Sequence, residues 1–383
     1  MNSKESGGRQ RETEDQSYTR RHVVATLAAG GAIAVAGCSG SDESGADTGT
    51  TARQASTPTP TGIEEQASAS STPTEPVDTS TSTQATETAT PTDTATPFPL
   101  PSRPEGYETP EPPAFEEPDE VRDGTEIFRG VPFEETPDGT LRLDLYLPAD
   151  ADSVPLVVHA HGGAWKRGER TSYQPRHAVQ GIAAATIDYR LSGTAEYPAA
   201  VRDVAAATHW LRTYAAPAAG VDPERTALRG GSAGAHLAGL LAMAPNEDNF
   251  EPVGIDDPDT EVDAFIGISG IYNFNGDDDG ETPPVIEQFF GCTRSECPDT
   301  FDEGSPIQRV DGDDPATFVW HGQADDRVPD DQTIDFRDEL RDEGVPVTVL
   351  NPEEAGHVEM LEDPWREEFR TTERAFLSDE LDL

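Results

Sequence analysis

From about residue 121 onwards, apolar and polar positions follow two different rhythms. Strict alternation in LRLDLYLP, Leu141–Pro148, predicts a half-buried strand. Short apolar runs such as VPLVVHA and AFIGI predict strands buried on both faces, whereas PAAVRDVAAATHWLRTYAA has apolar residues at helical spacing. Strands and helices take turns along the chain. That order predicts an α/β fold with a mostly parallel central sheet and helices on both faces.

The pattern also predicts where functional residues lie, because binding residues in such sheets follow the carboxyl ends of the strands. The predicted strands are Leu141–Pro148, Val154–His161, Gly181–Arg190, Thr226–Gly230, Ala264–Gly270, Ala316–Gly322 and Val345–Pro352. The predicted helices are Pro198–Ala216, Ala233–Ala244, Asp331–Gly344 and Pro364–Asp379.

A serine follows one of these strands and precedes a helix. The stretch GGSAG, Gly230–Gly234, matches the G-x-S-x-G nucleophile elbow, a strained turn in which neighbouring side chains must be small. Gly230 and Gly234 leave that space, and the following helix favours negative charge beside Ser232. The pattern alone fits a helix-capping serine equally well. Its place between a strand and an apolar helix favours a nucleophile.

A nucleophilic serine needs a histidine base and a carboxylate that orients it, and both follow later strands. Asp325 comes after FVWHG, and His357 lies in a Gly-His turn after VTVLNP. The chain order Ser, acid, His is that of α/β-hydrolases. Asp326 is the competing carboxylate. His161 and His321 are interpreted as structural residues that hold loops by hydrogen bonds.

Residues from about 121 to 383 resemble α/β-hydrolase esterases of the HGGG group, close to hormone-sensitive lipase and to the bacterial feruloyl and acetyl-xylan esterase-like (BD-FAE-like) families. The matching motifs are HGGAWKRGE, IDYRLS, YPAAVRDVAAATHWLR, VDPERTALRGGSAGAHLA, SPI, HGQADDRVP and GH, in family order.

The resemblance implies a serine hydrolase that uses an acyl-enzyme and neither metal nor cofactor. It implies Ser232 as nucleophile, His357 as base and Asp325, three residues before Val328, as acid. Ala164 stands where many members have a third glycine, and its small side chain should leave the backbone free to approach the substrate. Asp203 and the arginine of IDYR are expected to form a structural ion pair. The implied oxyanion donors are the amides of Gly163, Ala164 and Ala233, and the supporting motif residues are His161, Gly162, Gly230 and Gly234.

The first residues predict an exported chain. Arg20 and Arg21 precede an apolar run that is too short to span a bilayer, and VAGC ends it at Cys38. We expect a twin-arginine lipoprotein signal over residues 1–37, with lipid on Cys38 holding the protein at the membrane surface outside the cell. An ordinary cleaved signal is the alternative. Residues 38–114, rich in Ser, Thr and Pro, predict a disordered stalk, and residues 115–383 the catalytic domain.

The net charge of the chain limits the classes of molecule that it is expected to bind. The chain has 74 acidic and 27 basic residues, a net charge of −47, and only two of the basic residues are lysine. Such a surface repels nucleic acid and is typical of proteins from high-salt environments. Acidic stretches such as DDPDTE are interpreted as solvated surface rather than metal sites. The expected partner is a small-molecule or polysaccharide-linked ester, and the oligomeric state stays open.

Two further features concern the region after the predicted strand Ala264–Gly270. Cys292 and Cys297 are expected to form a disulfide, because an exported chain meets an oxidising environment and no second cysteine pair suggests zinc. Residues 273–314 show little periodicity and are interpreted as a cap or pocket wall. Two other functions stay open: a peptidase or amidase with the same triad, and a catalytically inactive binding protein.

Overall fold

The structure, a computed structural model, describes residues 103–149, 151–245, 247–275 and 282–383. Residues 1–37, Cys38 and most of the predicted stalk lie outside these ranges. No helix in the described part of the chain is long and apolar enough to cross a membrane.

Nine strands form one sheet in the order β1-β2-β3-β5-β4-β6-β7-β8-β9. Strands β1, β2, β3 and β5 pair antiparallel, and β5, β4, β6, β7, β8 and β9 pair parallel, which confirms the mostly parallel sheet. The strands are β1 Glu120–Arg122, β2 Thr125–Thr136, β3 Gly139–Pro148, β4 Val154–Ala160, β5 Ala183–Ile187, β6 Val221–Gly231, β7 Ala264–Ile268, β8 Ala316–Trp320 and β9 Val347–Leu350.

Helices cover both faces of the sheet, as predicted. Leu228 of β6 packs into the cluster that contains residues of α1, α3 and α6, whereas its neighbour Ala227 packs with α7. Alternate residues of one strand therefore pack into two hydrophobic cores, one on each face of the sheet. The helices are α1 Ala199–Trp210, α2 Ala216–Ala219, α3 Ala233–Met243, α4 Pro284–Phe290, α5 Pro298–Glu303, α6 Asp331–Glu343 and α7 Arg366–Glu380.

Strand β3 is more buried than its alternation predicts. Its leucines face the larger of the two cores, which α1, α3 and α6 share and which is called the main core below. Asp144, on the opposite face of the strand, is also buried. Asp144 tolerates burial because Arg129 and Arg170 both pair with its carboxylate, at 3.1 and 2.8 Å. The expected ion pair of Asp203 is present as well, since Arg190 donates to its carboxylate at 2.7 Å.

Strand β2 is absent from the predicted elements. Its sequence, TEIFRGVPFEET, contains Gly130 and Pro132, and the register with β3 shifts between Phe128 and Val131 and again between Pro132 and Glu134. Each shift breaks the alternation on which the prediction depends. An irregular strand of this kind is stabilised by pairing with β3 rather than by its own pattern.

The boundary of the predicted stalk needs correction. The side chain of Arg103, inside the range assigned to the stalk, is buried, donates to the Val253 carbonyl at 2.7 Å and pairs with Glu134. The Trp210 indole donates to the Pro110 carbonyl at 2.7 Å. Residues 103–114 therefore belong to the folded domain, although their Pro- and Glu-rich composition resembles a linker.

The surface carries charge and little apolar area. Residues 121–383 contain 54 acidic and 20 basic residues, a net charge of −34. Among the described residues, the only large apolar side chains that are exposed are Val121 and Leu383. Like charges on this scale repel one another across the compact state.

We expect the thermal midpoint of unfolding to rise as salt is added to dilute buffer. Salt shortens the reach of each charge from about 10 Å at 0.1 M to about 3 Å at 1 M, which relieves the repulsion. Midpoints measured across a salt series test this. Sodium chloride is the salt for this test, because sulfate also stabilises folded proteins by exclusion from their surface. A midpoint that is flat or falls would contradict the prediction.

Candidate active site

Ser232 occupies a strained turn between β6 and α3. Its backbone has φ 53° and ψ −122°, values that a residue with a side chain rarely adopts. A Cβ on Gly230 would lie 2.1 Å from the Gly234 carbonyl oxygen, and one on Gly234 would lie 2.2 Å from the Ala160 carbonyl oxygen. No larger residue fits at either position. The glycines of the motif thus allow the turn that presents the serine.

The helix after the serine supplies a favourable field. The carbonyl of Ser232 accepts hydrogen bonds from the amides of Ala235 and His236 at 2.9 and 3.1 Å, so α3 begins directly behind the side chain. Ala233, the first residue of α3, is fully buried. Its amide lies at the positive end of the helix dipole, where a developing negative charge is stabilised.

Asp325 and His357 are in direct contact. The Asp325 Oδ2 atom lies 2.6 Å from Nδ1 of His357, and its side chain is fully buried. The other carboxylate oxygen accepts the amides of Arg327 and Val328 at 2.9 and 3.0 Å. Burial acts to raise the pKa of Asp325, but the bonds from His321, His357 and the Val328 amide outweigh it and lower the pKa below its ordinary value. The carboxyl group is therefore an anion.

The neighbouring Asp326 has none of these contacts. Its side chain is exposed and makes no ion pair or side-chain hydrogen bond with any residue in the described ranges. The geometry favours Asp325 over Asp326 as the carboxylate that orients the histidine.

His357 lies beside the serine turn. The amide of the next residue, Val358, donates to the Ser269 hydroxyl at 3.2 Å, and Ser269 follows β7, the neighbour of β6. A Cβ on Gly231 would approach Val358 to 3.9 Å. Since Asp325 holds Nδ1, Nε2 is the ring nitrogen left to exchange a proton. The three predicted residues thus gather at the carboxyl edge of the sheet.

The predicted oxyanion loop packs against the same turn. A Cβ on Gly162 would lie 2.8 Å from the Gly231 carbonyl oxygen and 3.4 Å from Cβ of Ser232. Gly163 has φ 130° and Ala164 φ 54°, so both residues adopt the left-handed region. A third glycine would take the Ala164 conformation without strain, whereas alanine does so at a cost of about 1 kcal/mol.

The two histidines interpreted as structural contact residues of neighbouring segments. His161 stacks on Tyr189 with ring centroids 4.2 Å apart, and the Tyr189 hydroxyl donates to the His161 carbonyl at 2.8 Å. Nε2 of His321 lies 3.2 Å from the Asp325 carboxylate, and its Nδ1 lies 2.7 Å from the Thr333 hydroxyl. His321 therefore braces the loop that carries Asp325.

A buried cluster around Trp165 is not among the predicted site residues. The Trp165 indole N–H donates to Nδ1 of His236 at 3.1 Å, and Nε2 of His236 donates to the Gly304 carbonyl at 2.8 Å. Trp165 also stacks on Phe289, with centroids 4.7 Å apart. The cluster connects the oxyanion loop, helix α3 and helix α4. Only the placement of Trp165 directly after HGGA hints at it in the sequence.

The segment interpreted as a cap or pocket wall is anchored by this cluster. Its described part contains α4 and α5, joined by a disulfide between Cys292 and Cys297. Phe289 and Phe290 of α4 are buried in the main core. Within the described ranges, no group of three His, Cys, Asp or Glu side chains is arranged to hold a metal ion.

We expect stability to fall between about pH 6.5 and pH 4, partly through His236. Burial lowers the pKa of His236 to about 4, while the Gly304 bond opposes this. An unfolded histidine has a pKa of about 6.5, so its stabilising contribution, on the order of 3 kcal/mol, is complete above that value and is lost as pH falls toward 4.

The measurement is the free energy of unfolding across this range for the parent and His236→Gln. The variant should show a smaller dependence on pH. Burial also lowers the pKa of His209 to about 4, so part of the dependence should remain. Identical pH dependence in both proteins would contradict the role of His236.

The sequence matches one family model and is similar to proteins named as esterases. The family model of BD-FAE matches residues 143–340. The chain is 33% identical over 210 residues to the probable carboxylic ester hydrolase LipM of Mycobacterium tuberculosis, covering 52% of this chain and 48% of the relative. It is 35% identical over 198 residues to the esterase LipQ of the same organism, covering 50% and 47%. The chain thus spans about half the length of these curated relatives.

Solved structures agree on the fold. A truncated carbohydrate esterase from gut microbiota superposes with a TM-score of 0.60 at 22% identity, covering 70% of this chain and 100% of that one. Esterase 2 of Thermogutta terrifontis has a TM-score of 0.52 at 25% identity, covering 63% and 88%. Both likenesses support the α/β-hydrolase fold that the family resemblance implies.

Proposed function

The chain belongs to the BD-FAE family, and from that membership we propose that it hydrolyses carboxylic esters with Ser232 as nucleophile, His357 as base and Asp325 as the orienting acid. The observation that carries the proposal is the 2.6 Å contact between Asp325 and Nδ1 of His357, next to a serine held at φ 53°. The names of the relatives, a carboxylic ester hydrolase and an esterase, support the same reaction.

The mechanism follows from these positions. Nε2 of His357 takes the hydroxyl proton of Ser232, whose oxygen attacks the ester carbonyl. The amides of Gly163, Ala164 and Ala233 hold the resulting oxyanion, and the helix dipole of α3 adds to them. His357 then protonates the departing alcohol. Water, activated by the same histidine, releases the acid from the acyl-enzyme.

Asp325 contributes through its charge and its position. Because its pKa is lowered, it stays ionised and stabilises the positive charge that His357 gains in each step. The two amide bonds to its other oxygen and the His321 contact hold it in place. The histidine therefore keeps one orientation through both halves of the reaction.

The substrate class we propose is a water-soluble ester, either a small molecule or one attached to a polysaccharide. Enzymes that act at lipid interfaces expose apolar surface there, and the described residues expose only Val121 and Leu383 among large apolar side chains. One structural neighbour is a carbohydrate esterase, which supports the polysaccharide option.

The test compares matched substrates and a covalent probe. The purified protein is assayed with an acetate ester and the corresponding anilide, and it is treated with a fluorophosphonate. We expect ester hydrolysis far above anilide hydrolysis, together with labelling of Ser232. Faster anilide hydrolysis would identify a peptidase or amidase instead. Absence of both labelling and turnover would identify an inactive binding protein.

We also propose that the protein is exported by the twin-arginine route and anchored outside the cell by lipid on Cys38. Arg20, Arg21 and the VAGC sequence support this, and all of them lie outside the described residues. The lysine-poor, acidic composition supports a high-salt environment.

We expect mass spectrometry of the native protein to find Cys38 as a lipid-modified N-terminus. Changing Cys38 to Ser should release the protein from the membrane fraction, because the Ser/Thr/Pro-rich stalk offers no apolar replacement for the lipid. An unmodified N-terminus at another residue would contradict the proposal.

A further inference from the structure

Two basic side chains follow the oxyanion loop and have no acidic partner. Lys166 and Arg167 are exposed, and neither forms an ion pair or a side-chain hydrogen bond within the described parts of the chain. Arg170, three residues later, is bonded to Asp144 and Asp188 at 2.8 and 2.9 Å. Lys166 and Arg167 are therefore free to meet an anion from outside.

Acidic residues far outnumber basic ones in this domain. Residues 121–383 carry 54 acidic and 20 basic residues. Many of the arginines are bound to carboxylates, and Arg190 and Arg229 are buried in such pairs. The net charge of −34 repels anions from most of the surface. Arg327, Arg341 and Arg374 are also exposed and lack an ion pair within the described residues, but Lys166 and Arg167 are the ones that directly follow the predicted oxyanion loop.

The backbone places both residues next to the oxyanion loop. The amides of Lys166 and Arg167 each donate to the Gly163 carbonyl at 3.2 Å, which closes a tight turn. A Cβ on Gly163 would lie 3.2 Å from Cγ of Arg167, so the arginine side chain starts against this glycine. Gly162, one residue earlier, packs against Ser232. The Arg167 side chain therefore starts beside the predicted oxyanion loop.

The turn is held from the far side as well. The Arg170 amide donates to the Asp188 carboxylate at 2.8 Å, and the Ser192 amide donates to the Trp165 carbonyl at 2.7 Å. Both Asp188 and Ser192 follow strand β5. The backbone that carries the two cations is thus fixed at both ends and keeps its position relative to Gly163.

We propose that Arg167, assisted by Lys166, binds a carboxylate of the substrate, so that the preferred ester carries a negative charge close to its scissile bond. The inference rests on the proposed ester hydrolysis and adds a substrate class to it. Arg167 is then a specificity-determining residue rather than a catalytic one. Its planar fork suits a carboxylate, and a direct contact persists in molar salt, where longer-range attraction is screened.

The experiment measures kcat/KM for two pairs of esters at one fixed salt concentration. The first pair places the charge on the alcohol side: 4-acetoxybenzoate and its methyl ester. The second pair places it on the acyl side: monophenyl adipate and its methyl ester. In each pair the anionic ester is compared with its neutral analogue. The ratio of the two kcat/KM values cancels general damage to the active site.

The variants are Arg167→Gln, Arg167→Glu and the control Arg341→Gln. Arg341 is exposed on α6 and, like Arg167, has no ion pair within the described ranges. We expect the anionic-to-neutral ratio to fall about threefold to fivefold in Arg167→Gln for at least one pair, the size of an exposed ion pair. It should fall further in Arg167→Glu and stay unchanged in Arg341→Gln.

The outcomes separate this inference from the proposed function. If all four esters resist the parent protein, the proposed ester hydrolysis fails and this inference with it. If the esters are hydrolysed but both ratios move no more in the Arg167 variants than in the control, only the inference is overturned. A fall in Arg167→Gln that does not deepen in Arg167→Glu would also overturn it, because the effect would not follow charge. The pair that responds tells which side of the ester carries the carboxylate.

Discussion

Replacing Ser232 with alanine should lower ester hydrolysis by about 10⁶-fold, the scale seen when another serine hydrolase loses its nucleophile. The oxygen that attacks the carbonyl is removed, while the oxyanion amides and the histidine remain. The fold should persist, because the Ser232 contacts in the turn are made by its backbone: its amide donates to the Ile268 carbonyl at 2.8 Å. Initial rates at saturating substrate, with the thermal midpoint, measure both effects.

The control for this variant is Ser378→Ala, on helix α7 away from the carboxyl edge of the sheet. It should retain parent turnover and fluorophosphonate labelling, whereas Ser232→Ala should lose both. Turnover of Ser232→Ala within a few-fold of the parent would remove Ser232 from the mechanism. It would also remove the reason for the strained turn at Gly230–Gly234.

Asp325→Asn should lower turnover by about 10⁴-fold, and Asp326→Asn should leave it nearly unchanged. An amide at position 325 cannot stabilise a charged His357, and its N–H₂ group turned toward Nδ1 would favour the wrong tautomer. Asp326 is exposed and has no such contact within the described residues. The two variants remove the same charge one residue apart, so each serves as the control for the other.

Both asparagine variants should be compared at a pH where the parent is stable, with unfolding followed in parallel. Asp325 also binds His321 and two amides, so its variant should lose some stability as well as activity. A loss of turnover that follows Asp326 instead would move the acid by one residue and assign Asp325 a structural role.

Motifs with strict steric requirements were predictable from sequence. Only glycine fits at Gly230 and Gly234, so the nucleophile elbow requires a glycine pattern that can be recognised in a single sequence. The order of Ser232, Asp325 and His357 is equally visible, because each follows a strand whose apolar run is clear. The parallel strands were predictable for the same reason: a run buried on both faces must be apolar throughout.

Features that depend on partners far along the chain were not predictable. Strand β2 has an irregular register and is defined by its pairing with β3. The Trp165–His236–Phe289 cluster joins residues more than seventy positions apart, and nothing in the local sequence of Phe289 marks its partner. Likewise, Lys166 and Arg170 look alike in the sequence, and only the structure shows that Arg170 is bound to carboxylates and Lys166 is not.

The first described residues would carry mechanical load if the chain is tethered through its stalk as proposed. Arg103 is fixed by the Val253 carbonyl, Thr109 and Glu134, and its guanidinium lies over the Tyr107 ring at 5.5 Å. A pull on that stalk would load these bonds together and pass through Glu134 into strand β2. In the strand order, β3, β5 and β4 lie between β2 and β6, the strand that leads to Ser232. The load would therefore enter the sheet with three strands between it and the predicted nucleophile.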